Sequence, residues 1–188
     1  MGAPSAPPEF HVIDRLRRLA PFARSRTWWA VVLVAALGAE ALALWYQYAL
    51  GEEPCVLCIE LRLWVAGFVL VGAAGVVLPP RPAIAFVLHG LGVVLGLGML
   101  SGAWETWATE NRIADGSCAP FLNLPEWFAV GRWFPAVFEV RGLCGYTPDV
   151  ILGLSMADLL LAGAFGALLA TIAFLGALLA ERAQPVPG

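Results

Sequence analysis

Four long apolar runs divide the chain, and short polar segments separate them. The first runs from Trp28 to Leu50, the second from about Ile59 to Leu78, the third from about Pro82 to Trp104, and the fourth from about Met156 to Ala180. Each holds roughly the 20 residues that a helix needs to cross the hydrocarbon core of a bilayer. Local signals mark two of the helix starts. Pro82 suits a first helical position, where its missing N–H is no loss. Ser155 with Asp158 is an S-x-x-D pattern, which predicts a cap on the fourth helix.

The pattern therefore predicts an all-α membrane protein. It is a four-transmembrane-helix bundle with a short outer loop and a long outer loop containing an interfacial helix. The expected divisions are a tail over about 1–26, a membrane domain over about 27–180 and a tail over about 181–188. Within the domain the spans are about 28–50, 59–78, 82–104 and 156–180, with outer loops at about 51–58 and 105–155. In the long loop, "LPEWFAVGRWFPAVF" gathers Trp127, Phe128, Trp133, Phe134 and Phe138 on a broad apolar surface, as a helix lying in the interface would. Pro135 should interrupt it. A loop folded into its own small core is the alternative. A cleaved signal peptide is the alternative for the first run, but that run is too long and ends in aromatic residues.

Composition supports lipid as the solvent. The chain is 60% hydrophobic and only 13% charged, too apolar for an ordinary soluble domain. Net charge is -3, so nothing points to nucleic acid. Every basic residue is an arginine, and their placement sets orientation. Arg15, Arg17, Arg18, Arg24 and Arg26 precede the first span, Arg81 lies in the "LPPRP" turn, and Arg182 follows the fourth span. All fall on one side, the expected cytoplasmic side, together with both termini. Arg62, Arg112, Arg132 and Arg141 on the other side are diluted by acids.

That orientation places Cys55, Cys58, Cys118 and Cys144 together on the oxidising side, where disulfides persist. Three or five spans would split them. Four cysteines can form two structural disulfides, hold one zinc or act in redox exchange. Zinc is a poor fit at the bilayer edge, with His11 in the tail and His89 inside the third span. A disulfide closing the two-residue Cys55–Cys58 loop adds little stability, which favours a redox couple. A helix beginning near Cys58 would put that sulfur at the positive end of the helix dipole, with Arg62 one turn on. Both features favour the reactive thiolate. An arginine at the start of an apolar span is itself a functional candidate, with snorkelling to headgroups as the alternative.

Other polar residues in the spans have structural readings. Glu40 is expected to hydrogen-bond a neighbouring helix, with proton relay to a reduced acceptor as the alternative. His89 is expected to pack between helices near the cytoplasmic half. Trp45, Tyr46, Gln47 and Tyr48 sit where an aromatic belt belongs. Gly92 and Gly96 have the spacing of close helix contact.

The residues together resemble the disulfide bond formation protein B family, DsbB, over about Glu40 to Leu160. The resemblance rests on "ALWYQ" followed by "PCVLCIELR", then "LPEWFAVGRWFPAVF" before "GLC", and "LGLSM" before the last span. It implies a multi-pass inner-membrane oxidoreductase with its cysteine loops in the periplasm. It implies that a DsbA-like thioredoxin-fold dithiol protein is reoxidised and that ubiquinone or menaquinone takes the electrons. By the same resemblance Cys118 forms the mixed disulfide with the partner and Cys144 completes the outer pair. Cys55 exchanges with Cys144, Cys58 faces the quinone, and Arg62 supports quinone and thiolate. A dedicated partner in place of a general one, or a non-catalytic scaffold with two structural disulfides, are the competing functions. Two departures stand out. Glu60 and Leu61 replace the family's common Tyr-Glu, and Glu105 and Trp107 lie where some members carry a histidine. Proton delivery to quinone is therefore left without an assigned residue.

Overall fold

A computed structural model describes residues 17–114, 118, 122 and 124–183. His11, Arg15, and the outer parts of both expected tails lie outside the described residues. Among the described residues four helices are long and apolar enough to cross a membrane: α1 (Arg26–Ala49), α2 (Val56–Val77), α3 (Pro82–Glu110) and α4 (Met156–Arg182). The protein is a multi-pass membrane bundle.

Each helix starts where its local chemistry directs. Ser25 caps α1 by accepting from the Trp28 N–H at 3.2 Å. Pro82 occupies the first turn of α3. Ser155 and Asp158 form a reciprocal capping box on α4. The Ser155 hydroxyl accepts the Asp158 N–H at 3.3 Å, and the Asp158 carboxylate accepts the Ser155 N–H at 3.0 Å. Just before α4, a two-stranded antiparallel hairpin pairs β1 (Asp149–Ile151) with β2 (Leu154–Ser155). Its turn needs positive φ at Leu152 and Gly153.

Consecutive helices pack along their lengths: α1 on α2, α2 on α3 and α3 on α4. Glycines allow the closest approaches. A Cβ at Gly72 would come within 2.9 Å of the Leu33 backbone, and one at Gly96 within 3.2 Å of the Leu168 Cα. The central core joins Leu61, Val65, Phe68, Met99, Ala103 and Ala164. Leu70, Val77, Val34 and Val94 are exposed on the bundle's outside, as lipid-facing residues must be. Helices α1 and α4 make no comparable contact, and a cavity opens between them at the cysteine end.

The opposite end is closed by aromatic packing. Trp28 meets Phe174 edge-on at 4.5 Å, and Trp29 stacks near His89 at 4.7 Å. His89 is fully buried and its Nε2 donates to the Ala23 carbonyl at 3.0 Å, tying in a short helix over 17–23. Among the described residues the long outer link contains three short helical turns: Glu126–Phe128, Val130–Trp133 and Pro135–Phe138. Pro135 begins the last of them, so the backbone changes direction there. Trp127, Trp133 and Phe134 remain exposed.

Candidate functional site

Helix α2 begins at Val56, two residues before Cys58. Pro54 cannot donate a backbone hydrogen bond, and Cys55 follows it with extended φ -76 and ψ 172 as the N-cap residue. The Cys55 sulfur accepts the Cys58 backbone N–H at 3.3 Å. Cys58 is the third helical residue, in the first turn, so the expectation that its sulfur lies at the positive helix end holds. Cys55 occupies the cap, because the first helical residue is Val56. The two sulfurs are 2.7 Å apart as free thiols. The Cys58 thiol's hydrogen bond, aided by backbone N–H groups and opposed by burial, holds the Cys55 thiol down to about 7 from its usual value near 9.

The two thiols face different surroundings. Cys55 is 3% exposed and packs with Val56, Leu57, Leu122, Val140 and Cys144. Cys58 lines the cavity between α1 and α4. The other two cysteines form a disulfide, Cys118–Cys144, within the outer link. Cys118 is exposed and Cys144 half-buried. The four sulfurs therefore lie at one end of the bundle, graded from an exposed atom to one beside a cavity in the apolar region.

Backbone bonds hold the outer link against the C-x-x-C turn. The Pro54 carbonyl accepts the N–H groups of Arg141 and Gly142, each at 3.0 Å. Gly142 is required there, since a Cβ would collide with the Glu53 carbonyl. This contact brings the segment that leads to Cys144 onto the residue preceding Cys55.

Arg62 is 7% exposed and fully engaged with neutral oxygens. Its guanidinium donates to Gln47 Oε1 at 2.6 Å, to the Val137 carbonyl at 2.9 Å and to the Ala43 carbonyl at 3.2 Å. It therefore ties α2 to α1 and to the outer link while leaving its positive charge at the cavity wall. Tyr48 adds a second tie, donating to the Ala136 carbonyl at 2.6 Å. Read from sequence alone, Gln47 has no role beyond the membrane boundary. The available signal was its position seven residues after Glu40, two turns along one helix face. The Ala43, Ala136 and Val137 carbonyls carry no residue-type signal at all.

The cavity holds about 270 Å³. Leu42, Leu61, Val65, Met99 and Leu160 form apolar walls, and Cys58, Arg62, Gln47 and Glu40 supply the polar edge. Gln47 Nε2 and both Glu40 carboxyl oxygens are buried without a hydrogen-bond partner among the described residues. A polar group left this way has capacity to spare for a bound molecule.

The family model for DsbB, disulfide bond formation protein DsbB, matches residues 25–175. The chain belongs to the DsbB family. It is 40% identical to disulfide bond formation protein B 2 of Pseudomonas aeruginosa over 71% of this chain and 80% of that protein. It is 33% identical to disulfide bond formation protein B of Shewanella loihica, covering 84% of this chain and 92% of the relative. A relative from Photorhabdus laumondii is 32% identical over 84% of this chain and 93% of its own length. As a DsbB-family member the protein is a membrane disulfide oxidoreductase. No cluster of three or more His, Cys, Asp or Glu side chains among the described residues can hold a metal ion.

Proposed function

We propose that this DsbB-family protein reoxidises a periplasmic, DsbA-like thioredoxin-fold dithiol protein and passes the electrons to membrane quinone. The observation that carries the reading is the siting of Cys58 and Arg62 on a cavity among membrane helices, with Cys118 exposed outside. A quinone ring fits the donor set. It needs flat apolar contacts, donors for its oxygens and a sulfur nearby, and the cavity has apolar walls, the free Gln47 amide N–H and the Cys58 thiol. When bound, quinone supplies a two-electron acceptor.

The protein's residues do the rest. The partner's thiolate attacks Cys118, because that sulfur of the outer disulfide is the exposed one. The partner's second thiol then resolves the mixed disulfide, leaving the partner oxidised and Cys118 and Cys144 reduced. With the Cys55–Cys58 pair in its oxidised, disulfide form, Cys144, held near Cys55 by the Pro54 contact, attacks Cys55 and releases Cys58 as a thiolate; Cys118 then displaces Cys55, so the outer disulfide re-forms and the inner pair is left as the two thiols seen in the structure. Cys58 delivers the electrons at the cavity. The partner's disulfide in this family has a potential of about -120 mV, a known property of that partner class and no product of the present geometry. Regenerating it calls for an acceptor of higher potential, and each 30 mV of difference supplies about 1.4 kcal/mol for two electrons. The same reading puts the cysteine end in the periplasm and both termini in the cytoplasm, supported by the arginines at the other end: Arg24, Arg26, Arg81 and Arg182.

The test is quinone absorbance. Purified protein in lipid, given reduced thioredoxin-fold partner and either ubiquinone or menaquinone, should consume quinone and partner thiols in a ratio of one to two. Partner oxidation without quinone loss, or neither, would overturn the reading.

A further inference from the structure

From sequence, Glu40 is expected to hydrogen-bond a neighbouring helix. It makes no such bond: both carboxyl oxygens are buried and unpartnered among the described residues. The side chain instead lines the cavity with Cys58, Arg62 and Gln47. Glu40, Ala43 and Gln47 are spaced three and seven residues apart on α1, so they share one face. Arg62 lies across the outer part of that stripe, bonded to the Ala43 carbonyl and the Gln47 side chain. Glu40 is the next turn inward, about 4.5 Å along the axis from Ala43 at 1.5 Å per residue.

We propose that Glu40 is the acid that hands a proton to the reduced quinone at the inner end of this cavity. The inference rests on the quinone reading above. Three observations carry it. An ionisable group inside a membrane span is costly and needs a use, and no structural bond supplies one here. Beyond Arg62 the remaining inner walls are Leu61, Val65, Met99, Leu159, Leu160 and Gly163, none of which carries an exchangeable acid. The cavity's other acids, Glu52 and Glu53, stand before Cys55 at its outer mouth. Among the described residues His89 is the one histidine, and it is committed at the far end of the bundle to the Ala23 carbonyl.

The chemistry balances. The Cys55 and Cys58 thiols lose two electrons and two protons as their S–S bond forms, and quinone takes up two electrons and two protons. Glu40 gives its proton to one ring oxygen and becomes a carboxylate beside Arg62. It then recovers a proton from the thiol side through the shared cavity. The ring's second proton comes from water at the mouth, and the second thiol proton leaves to that water.

The experiment uses full-length protein in lipid, prereduced at its cysteines, with a short-chain ubiquinone as the probe. Binding is read by tryptophan quenching and single-turnover reduction by stopped-flow absorbance. Glu40→Gln should bind the probe with unchanged affinity and reduce it about 100-fold more slowly, the size of a lost general acid. Glu40→Asp should recover part of the rate. Redox-difference infrared spectra of the unmodified protein should show a carboxylic acid band that changes on turnover and is missing in Glu40→Gln. A Glu40→Gln protein that reduces quinone at the normal rate overturns the proposal. So does one that loses affinity in place of rate, or an unmodified protein whose spectrum lacks the carboxylic acid band. If the unmodified protein reduces no quinone at all, the underlying quinone reading fails first, and the two failures are told apart by that control.

Discussion

The backbone N–H of Gly142 donates to the carbonyl of Pro54 at 3.0 Å. That bond joins the segment leading to Cys144 with the turn that carries Cys55. Cys144 also packs against the buried cluster around Cys55. Exchange between two disulfide centres requires a sulfur to approach another in line, so a rigid tie between their backbones is a catalytic asset.

Gly142→Ala tests that tie. Its Cβ would meet the Glu53 carbonyl, so the link must shift. A displacement near 1 Å can cost about 100-fold in a positioned reaction. Reduction of the outer disulfide by partner should keep its rate, while transfer to the Cys55–Cys58 pair slows by about that factor. Rapid acid quench and thiol labelling separate the two steps, and an unchanged second step would remove the tie from the mechanism.

Arg62→Lys keeps the charge and loses the fork. One ammonium cannot replace a planar guanidinium across Gln47 Oε1, the Ala43 carbonyl and the Val137 carbonyl. A hydrogen bond to a charged group is worth about 1.5–3 kcal/mol, so losing one predicts roughly a tenfold or larger rise in quinone KM. The partner KM should stay as it is, because Cys118 lies outside the cavity. Steady-state kinetics varying each substrate in turn give the answer, and a rise confined to the partner KM would contradict it.

Much of the fold was legible because its signals are local. Apolar runs of bilayer length announced four helices, and Pro82, Ser155 and Asp158 sit at helix starts by chemistry contained within one turn. His89 is buried in helix packing for the same reason: a histidine inside an apolar run has few other places to go. The site was legible only in part. C-x-x-C and Arg62 are residue-type signals, whereas the oxygens that hold Arg62 are mostly backbone carbonyls of Ala43 and Val137, which any residue could supply. The role of Cys55 as the cap is hard to read from sequence, because Pro54 and Cys55 start the helix through backbone geometry and a sulfur acceptor, a weaker signal than Ser or Asp. For Glu40 the sequence suggests packing, since sequence alone does not reveal whether a partner faces it.

The thiol pair should titrate from Cys55. Its value is depressed from near 9 to about 7, chiefly by the Cys58 hydrogen bond. The reduced pair therefore loses its first proton as pH rises through about 7, and the thiolate disappears as pH falls below that point. In a Cys118→Ala, Cys144→Ala background, thiolate ultraviolet absorbance should show this midpoint. Adding Cys58→Ala removes the donor and should move the midpoint upward, so that between about 7 and 9 the two proteins differ in charge. Coincident titration curves would show that the sulfur–sulfur bond has no such effect.

Exposure decides which outer sulfur meets the soluble partner. Cys118 is exposed and Cys144 is half-buried among Leu122, Val140 and the Cys55 cluster. An incoming thiolate must approach opposite the leaving sulfur, so the open side of Cys118 is the accessible target and Cys144 is the leaving group. Trapping exploits the missing resolving thiol. With Cys144→Ala, Cys118 is a free thiol and should be captured by an oxidised thioredoxin-fold partner as a stable mixed disulfide, visible on a nonreducing gel. With Cys118→Ala, the half-buried Cys144 should be captured far more slowly, at least tenfold if steric access governs the rate, since about 1.4 kcal/mol of barrier gives that factor. Equal capture of the two variants would mean that the outer link opens freely and that burial of Cys144 does not set the direction of exchange.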